Sequence, residues 1–314
     1  MSQLIAAILK GNFSLTPLPQ WDIVLSMFYM LIFIFAVPGN SLALWAFCHQ
    51  KGSSPSKVFL RHLSIADICY VLLLPMRIVY HLSNRHWPFG DILCQLSGFL
   101  FHLNMYCSLY LMSFISLDRL LAVSFPLKSQ VVRKPLHANI GVAILWMIVT
   151  VSMMPSLFSK KNQSNAGNCT MLYLEKTSSK ALISTMVAFL IPFTTIVIAY
   201  VVILLKLRNL KQQEERPVKD KAMKMIVIVV MIFLFAFVPY HICRVIYTQE
   251  IAGSMESLKR ANQVMSALTC IGGVLDPVMY FFLNKVYRST FLHLFCKPRR
   301  RTSPCPDSHS GKTF

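Results

Sequence analysis

Seven long apolar runs dominate this chain, at residues 23–47, 58–80, 93–123, 140–158, 182–205, 223–247 and 264–283. A helix needs roughly 20 apolar residues to cross the hydrocarbon layer of a bilayer. No water reaches the backbone there, so every N–H and C=O must be satisfied within the segment, and a run of this length must be helical. The chain is therefore expected to be an all-α membrane protein, a seven-transmembrane helix bundle. Composition agrees: 55% of residues are hydrophobic and 14% charged, against roughly 25% charged in soluble domains. Pro75, Pro155, Pro192, Pro239 and Pro277 fall inside or at the ends of the runs, where neighbouring helices can satisfy the carbonyls they free.

An odd number of spans puts the termini on opposite sides. Lys51, Lys57 and Arg61 bracket the first loop, and Lys128, Arg133 and Lys134 occupy the third. Lys206, Arg208, Lys211, Arg216, Lys219, Lys221 and Lys224 crowd the fifth, and Lys297, Arg299, Arg300 and Arg301 follow the last run. All of them lie on one side, which the positive-inside rule makes cytoplasmic. The net charge of +19 is thus a mark of topology, and no soluble stretch is long enough for a nucleic-acid-binding domain. Three glycosylation triplets begin at Asn12, Asn162 and Asn168, all on the opposite, extracellular side. Residues 1–9 are apolar but short and lack a basic leader, so the first run is expected to act as its own insertion signal. The expected organisation is an extracellular tail at 1–20, the bundle at 21–284, a short amphipathic eighth helix at 285–296 and a cytoplasmic tail at 297–314.

Nine cysteines sort by compartment. Cys94 and Cys169 are the two on the oxidising side, which pairs them as a disulfide. Cys69, Cys107, Cys243 and Cys270 lie within helices and are expected to pack as small apolar residues. Cys296 ends the amphipathic stretch and is a candidate for palmitoylation at the inner leaflet.

Charges inside the runs carry the functional signal, because each costs roughly 2.5–3.5 kcal/mol on insertion scales. Asp118 and Arg119 stand side by side at the inner end of the third run. Asp67 and Asp276 sit at mid-membrane depth in the second and seventh. With Asn104, Ser108 and Asn40 they form either a hydrogen-bonded helix contact or a Na⁺ site of hard oxygen ligands. A third set lies in the outer halves: Arg77, Tyr80, His102, Tyr106, Tyr240, His241 and Arg244. His241 and Arg244 share a helix face at i and i+3. A cavity so lined would attract an anion, with arginine gripping phosphate or carboxylate as a fork. Lys259 and Arg260 begin the seventh span and either add to this lining or form a solvated rim. No metalloprotease, phosphate-loop or nucleophile-elbow motif occurs in the sequence, so the chain is not expected to be an enzyme.

These features together resemble the rhodopsin-like (class A) G-protein-coupled receptors over about residues 20–297. The resemblance rests on Gly39-Asn40, Leu63-Ser-Ile-Ala-Asp67, Asp118-Arg119, Trp146, Pro192 with Tyr200, Phe233-x3-Phe237-Val-Pro239, and Asp276-Pro277-Val-Met-Tyr280. Within that family, His102-Leu-Asn104-Met-Tyr106 and Phe237-Val-Pro239-Tyr240-His241-Ile-Cys-Arg244 are similar to signatures of the purinergic nucleotide-receptor group. The resemblance implies a plasma-membrane receptor for an extracellular anionic small molecule, a nucleotide or a leukotriene-like lipid acid. It implies signalling through a heterotrimeric G protein of the Gi class, with arrestin and receptor kinases as further partners. Asp67, Asn104, Ser108 and Asp276 would hold an allosteric Na⁺, with no other cofactor. Asp118, Arg119, Tyr200, Phe233, Phe237, Pro239, Pro277 and Tyr280 would form the switch.

Departures from the pattern are equally plain. Leu120 follows Arg119 where tyrosine is commoner, Phe237 replaces the frequent tryptophan, and Gly98 stands where several nucleotide receptors carry a base. Phe101 occupies the place of the aspartate of amine receptors, which argues against an amine ligand. The rivals are a constitutively active or orphan receptor and, further off, a transporter. The chain shows no internal repeat of the kind transporters carry.

Overall fold

The computed structural model describes residues 19–49, 52–125, 129, 131–157, 169–174, 179–208, 227–250, 254–283 and 285–295. Seven helices are long and apolar enough to cross a membrane: α1 (Gln20–His49), α2 (Pro55–Leu82), α3 (Gly90–Ser124), α4 (Pro135–Leu157), α5 (Ser179–Arg208), α6 (Val227–Gln249) and α7 (Met255–Phe282). A short helix, α8 (Lys285–Phe295), follows. No strand is present among the described residues. The glycosylation asparagines, Cys296 and both outer parts of the tails lie outside these residues.

The interior is mostly apolar, as in a soluble bundle, but the surface is apolar too. Large apolar side chains point outward, with Phe35 62%, Val151 61% and Ile198 61% exposed. Asn40, Ser64, Arg77 and Ser116 are completely buried. Lipid is as good a solvent for Val and Phe as a protein core is, so the interior collects the groups that need partners.

Prolines shape the spans. Pro75 has no N–H, and α2 breaks just before it, at Leu72–Leu73, where the Leu73 amide reaches back to Tyr70 O at 2.9 Å. In α6 the turn before Pro239 widens to a π-segment, Phe233–Phe237, closed by the Val238 amide on Phe233 O. π-Bulges of this kind concentrate at functional places in helices. α7 breaks at Cys270–Ile271, ahead of Gly272, Gly273 and Pro277.

Pro277 also explains a contact two helices long. It cannot donate to the carbonyl four residues back, Gly273 O, which would be an orphan in the bundle. Asn40 Nδ2 donates to that carbonyl at 2.7 Å and to Ala36 O at 3.0 Å. Gly39 completes the fit, since a Cβ there would lie 2.8 Å from Pro277 Cγ. The Gly39-Asn40 and Asp276-Pro277 motifs are thus two halves of one junction.

α7 starts at Met255, well before the apolar run at 264. Ser254 caps it through the Ser257 amide at 3.3 Å, with Glu256 in the first turn. This first part is amphipathic, burying Leu258 and Asn262 while Arg260 pairs with Glu256 on the surface. A search for apolar runs passes over such a turn. Tyr287 of α8 is 1% exposed, its hydroxyl 3.4 Å from Gly39 O. Burial pushes that phenol up to about 12.

Candidate functional site

Three polar constellations lie along the bundle. At the end of α3 carrying Cys94, that cysteine is bonded to Cys169. The link draws residues 169–174 across the helix ends, including a 3₁₀ turn at Thr170–Leu172. Gly98 is required for this approach: a Cβ there would lie 2.7 Å from Met171 O. A basic side chain at position 98 is incompatible with the loop as it lies. Tyr80 joins the cap, packing with Trp87 (ring centroids 6.3 Å apart) in one cluster with Cys94, Cys169 and Leu172.

The loop's carbonyls meet the two arginines expected to bind an anion. Arg77 Nη2 donates to Leu172 O at 2.9 Å. Arg244 Nη1 donates to Tyr173 O at 3.3 Å, and its Nη2 donates to Leu174 O. Leu174 sits at φ 47°, a left-handed conformation that costs a leucine about 1 kcal/mol or more. Asn262 Nδ2 adds a 2.8 Å bond to Tyr173 O. Arg77 is fully buried, with its guanidinium 4.8 Å from the Phe101 ring centroid and 5.2 Å from that of Tyr173. Desolvated cation–π contacts contribute about 2 kcal/mol. Yet Arg77 has no ion pair among the described residues, and its Nε has no hydrogen-bond partner there. A buried cation compensated only by dipoles and ring faces is an electrostatic deficit.

The remaining pocket candidates surround it. His102 Nδ1 bonds Gly98 O at 2.7 Å, so that nitrogen carries the proton, and Nε2 lies 3.5 Å from the Tyr240 hydroxyl. His241 is fixed the same way by Phe237 O at 2.8 Å. Its Nε2 is buried with no hydrogen-bond partner among the described residues. Its ring stacks on Phe189 at 4.0 Å and lies edge-on to Tyr106 at 6.3 Å. Phe189 stacks in turn on Phe233 at 5.6 Å, within the π-segment, and Phe233 meets Phe237 at 5.8 Å. A continuous aromatic path therefore runs from the pocket histidine into the bend of α6.

At mid-depth, Asp67 and Asp276 are 3% and 1% exposed. Asn104 Nδ2 donates to Asp67 Oδ1 at 3.1 Å. Asp67 Oδ2, both Asp276 oxygens, Ser108 Oγ and Asn40 Oδ1 accept no hydrogen bond from a donor among the described residues, and the two carboxyls lie against each other. Two buried carboxyls in contact are unstable unless a cation or a proton joins them. Two carboxylates and neutral oxygens form a donor set fitted to a hard, weakly charged cation. No cluster of three or more His, Cys, Asp or Glu suited to a transition metal occurs among the described residues.

At the opposite end of α3 the expected Asp118–Arg119 pair is present but loose, at 3.4 Å. Asp118 is held more closely by Arg133, which forks onto both oxygens at 2.7 and 3.1 Å. Ser56 Oγ donates to the same carboxylate at 2.6 Å, and Arg119 donates to Ser56 Oγ. One buried carboxylate, 4% exposed, is therefore shared by two arginines and a hydroxyl. Leu120, half-buried, packs on the core and adds no hydrogen bond to the latch. Tyr200 takes a separate bond from Ser116 Oγ at 2.9 Å. Tyr280 packs on Phe47 and Tyr287 at 5.5 and 6.0 Å. The structure thus brings Asp118 and Arg119 together but does not join either tyrosine to Arg119 by a hydrogen bond among the described residues.

Several residues at these places escape inspection of the sequence. Arg133 looked like one more topological charge; its signal was a buried acid in need of a stronger partner than its chain neighbour. Asp22, in the first turn of α1, is fully buried, bonded to His81 Nδ1 at 2.7 Å and to Arg85 Nε at 3.1 Å. His81 Nε2 then meets the Tyr173 hydroxyl at 2.6 Å. Asp22 thus anchors the cap through His81 and Tyr173.

Seven spans, the α3 disulfide, a paired-acid cluster between α2 and α7 and a latch at the far end of α3 define a class of membrane receptor. The chain matches the seven-transmembrane receptors of the rhodopsin family over residues 39–280, and it belongs to that family. It is 46% identical over 304 residues to the uracil nucleotide/cysteinyl leukotriene receptor of Rattus norvegicus, covering 94% of this chain and 89% of that one. It is 30% identical over 321 residues to a purinoceptor of Rattus norvegicus, covering 96% and 83%. The type-1 angiotensin II receptor B of Xenopus laevis is 29% identical over 306 residues, covering 92% and 84%. The chain is a G-protein-coupled receptor and not an enzyme.

Proposed function

We propose that this receptor sits in the plasma membrane with its N-terminus outside and its C-terminus in the cytoplasm. It responds to an extracellular acidic small molecule, a nucleotide or a lipid acid of the cysteinyl-leukotriene kind. The observation that carries this is Arg77, a fully buried guanidinium with no ion pair among the described residues. A phosphate or carboxylate would supply the missing charge, bonding Arg77 and Arg244 as a fork in place of loop carbonyls. His102, Tyr106, Tyr240 and His241 would line the same pocket, with Tyr80 supporting the cap behind it. The names of the relatives, a uracil nucleotide/cysteinyl leukotriene receptor and a purinoceptor, favour the same ligand class.

Ligand contact with His241 would pass through Phe189 to Phe233 and Phe237, biasing the bend at Pro239 toward an open α6. A ligand shifts that equilibrium only by its differential affinity for the two states. Arg119, released from Asp118, would then meet the heterotrimeric G protein, of the Gi class by family. Arrestin and receptor kinases would act on the same open face. Na⁺ at Asp67, Asn104, Ser108 and Asp276 would favour the closed state. Glycans at Asn12, Asn162 and Asn168 and a palmitoyl group on Cys296 complete the picture.

A second reading has an observation of its own. Arg119 is held only loosely, and the carbonyls of residues 172–174 already occupy the two arginines. Both features favour substantial basal signalling without ligand. Nucleotide exchange on purified Gi, measured against nucleotides and lipid acids with wild type and Arg77→Gln at equal surface expression, separates the two. Potency for the active ligand is expected to fall about 100-fold in Arg77→Gln, the scale of a lost buried charged contact. Unchanged potency removes Arg77 from the site. Exchange that ignores every acidic ligand favours the constitutive receptor.

A further inference from the structure

A cavity of about 240 Å³ lies beside the Asp118 latch, between α2, α3 and α4. Its walls are apolar, with Phe59, Phe114 and Leu121 prominent, and Arg133, Lys134 and His137 stand at its rim. The lining acid, Asp118, already accepts bonds from Arg133 and Ser56. At Gly141 a Cβ would meet nothing within 4 Å, so the cavity is open past α4. The flanking Leu117 and Val132 are 38% and 55% exposed. The opening therefore faces hydrocarbon at its apolar part and headgroups at its basic rim.

The volume falls below the roughly 300–1,000 Å³ of ordinary small-molecule pockets. An apolar space of this kind holds no stable water. One acyl chain can enter it from the side while the rest of its molecule stays in the bilayer. Cations at the mouth select a headgroup of opposite sign. We propose that this cavity is a binding site for a single anionic phospholipid of the cytoplasmic leaflet. One chain lies on Phe59, Phe114 and Leu121, and the phosphate sits on Lys134 and Arg133. The placement in that leaflet rests on the orientation proposed above.

The site touches the latch through Arg133. A phosphate that engages Arg133 weakens its fork on Asp118. Asp118 then turns to Arg119, 3.4 Å away, and the closed state gains. The lipid is thus a brake on basal exchange.

Full-length receptor purified in detergent, incubated with phosphatidylserine and analysed by native mass spectrometry, tests the site. One retained lipid is expected, displaced about fivefold less well by phosphatidylcholine with the same chains and not displaced by free phosphoserine. Gly141→Phe, which fills the open side, is expected to abolish retention, and Lys134→Glu to weaken it about fivefold. Equal displacement by phosphatidylcholine, or full retention by a folded Gly141→Phe, overturns the proposal. If Gly141→Phe fails to fold, Gly141→Leu and the surface change Lys134→Glu decide instead. Detergent has no sides, so the result is independent of topology. Labelling of Lys134→Cys in intact against permeabilised cells tests the orientation separately.

Discussion

The two ends of α3 solve opposite electrostatic problems. At the Cys94 end, buried cations outnumber nearby acids among the described residues: Arg77 is left to carbonyl dipoles and aromatic faces, while the one buried acid there, Asp22, is bonded to His81 and Arg85. At the Asp118 end one buried acid is contested by two arginines and a serine. A surplus of cation makes a site that improves when an anion arrives. A contested acid makes a latch whose hold on Arg119 depends on its competitor. On the function proposed above, the first end would bind and the second would be tipped.

The largest effect is expected from breaking the tie that creates the first end. Cys94→Ala removes the disulfide, a loss of about 2–5 kcal/mol, and frees the segment that places three carbonyls over Arg77 and Arg244. Ligand-stimulated exchange should disappear while basal exchange persists in the folded fraction, measured with thermal midpoint in parallel. A ligand response that survives would mean the loop is no part of the site. Next comes the latch itself. Asp118→Asn releases Arg119 and Arg133 together and should raise basal exchange about tenfold, equivalent to ~1.4 kcal/mol. Unchanged basal activity would show that Asp118 restrains neither. The smallest effect lies between the ends. Asp67→Asn removes one carboxylate of the mid-depth cluster, and Na⁺ should then no longer lower agonist affinity. Retained sensitivity would move the cation elsewhere.

Spans, breaks and the charges buried between helices could be located in the sequence because insertion into a bilayer is a strong, local filter. Twenty apolar residues and a proline are visible without any knowledge of neighbours. The paired acids Asp67 and Asp276 stood out because charge at that depth is costly. Partners were harder. Nothing in the chain says that Pro277 frees a carbonyl for Asn40 or that Gly98 is small to admit Met171 O, since those are contacts between distant segments. Lys259 and Arg260 marked the head of α7, but its first turn at Met255 lies beyond the apolar run because amphipathic turns at the membrane edge carry none. Arg133 was hidden by its own logic: a basic loop residue satisfies the topology rule so well that no second role is sought for it.

That residue offers the most direct test. If Asp118 is shared, removing Arg133 hands the whole carboxylate to Arg119. Basal nucleotide exchange on purified G protein by Arg133→Gln should then fall below wild type by about threefold, the scale of a partly exposed ion pair. Basal exchange equal to or above wild type would contradict the shared latch and make Arg133 the restraint itself.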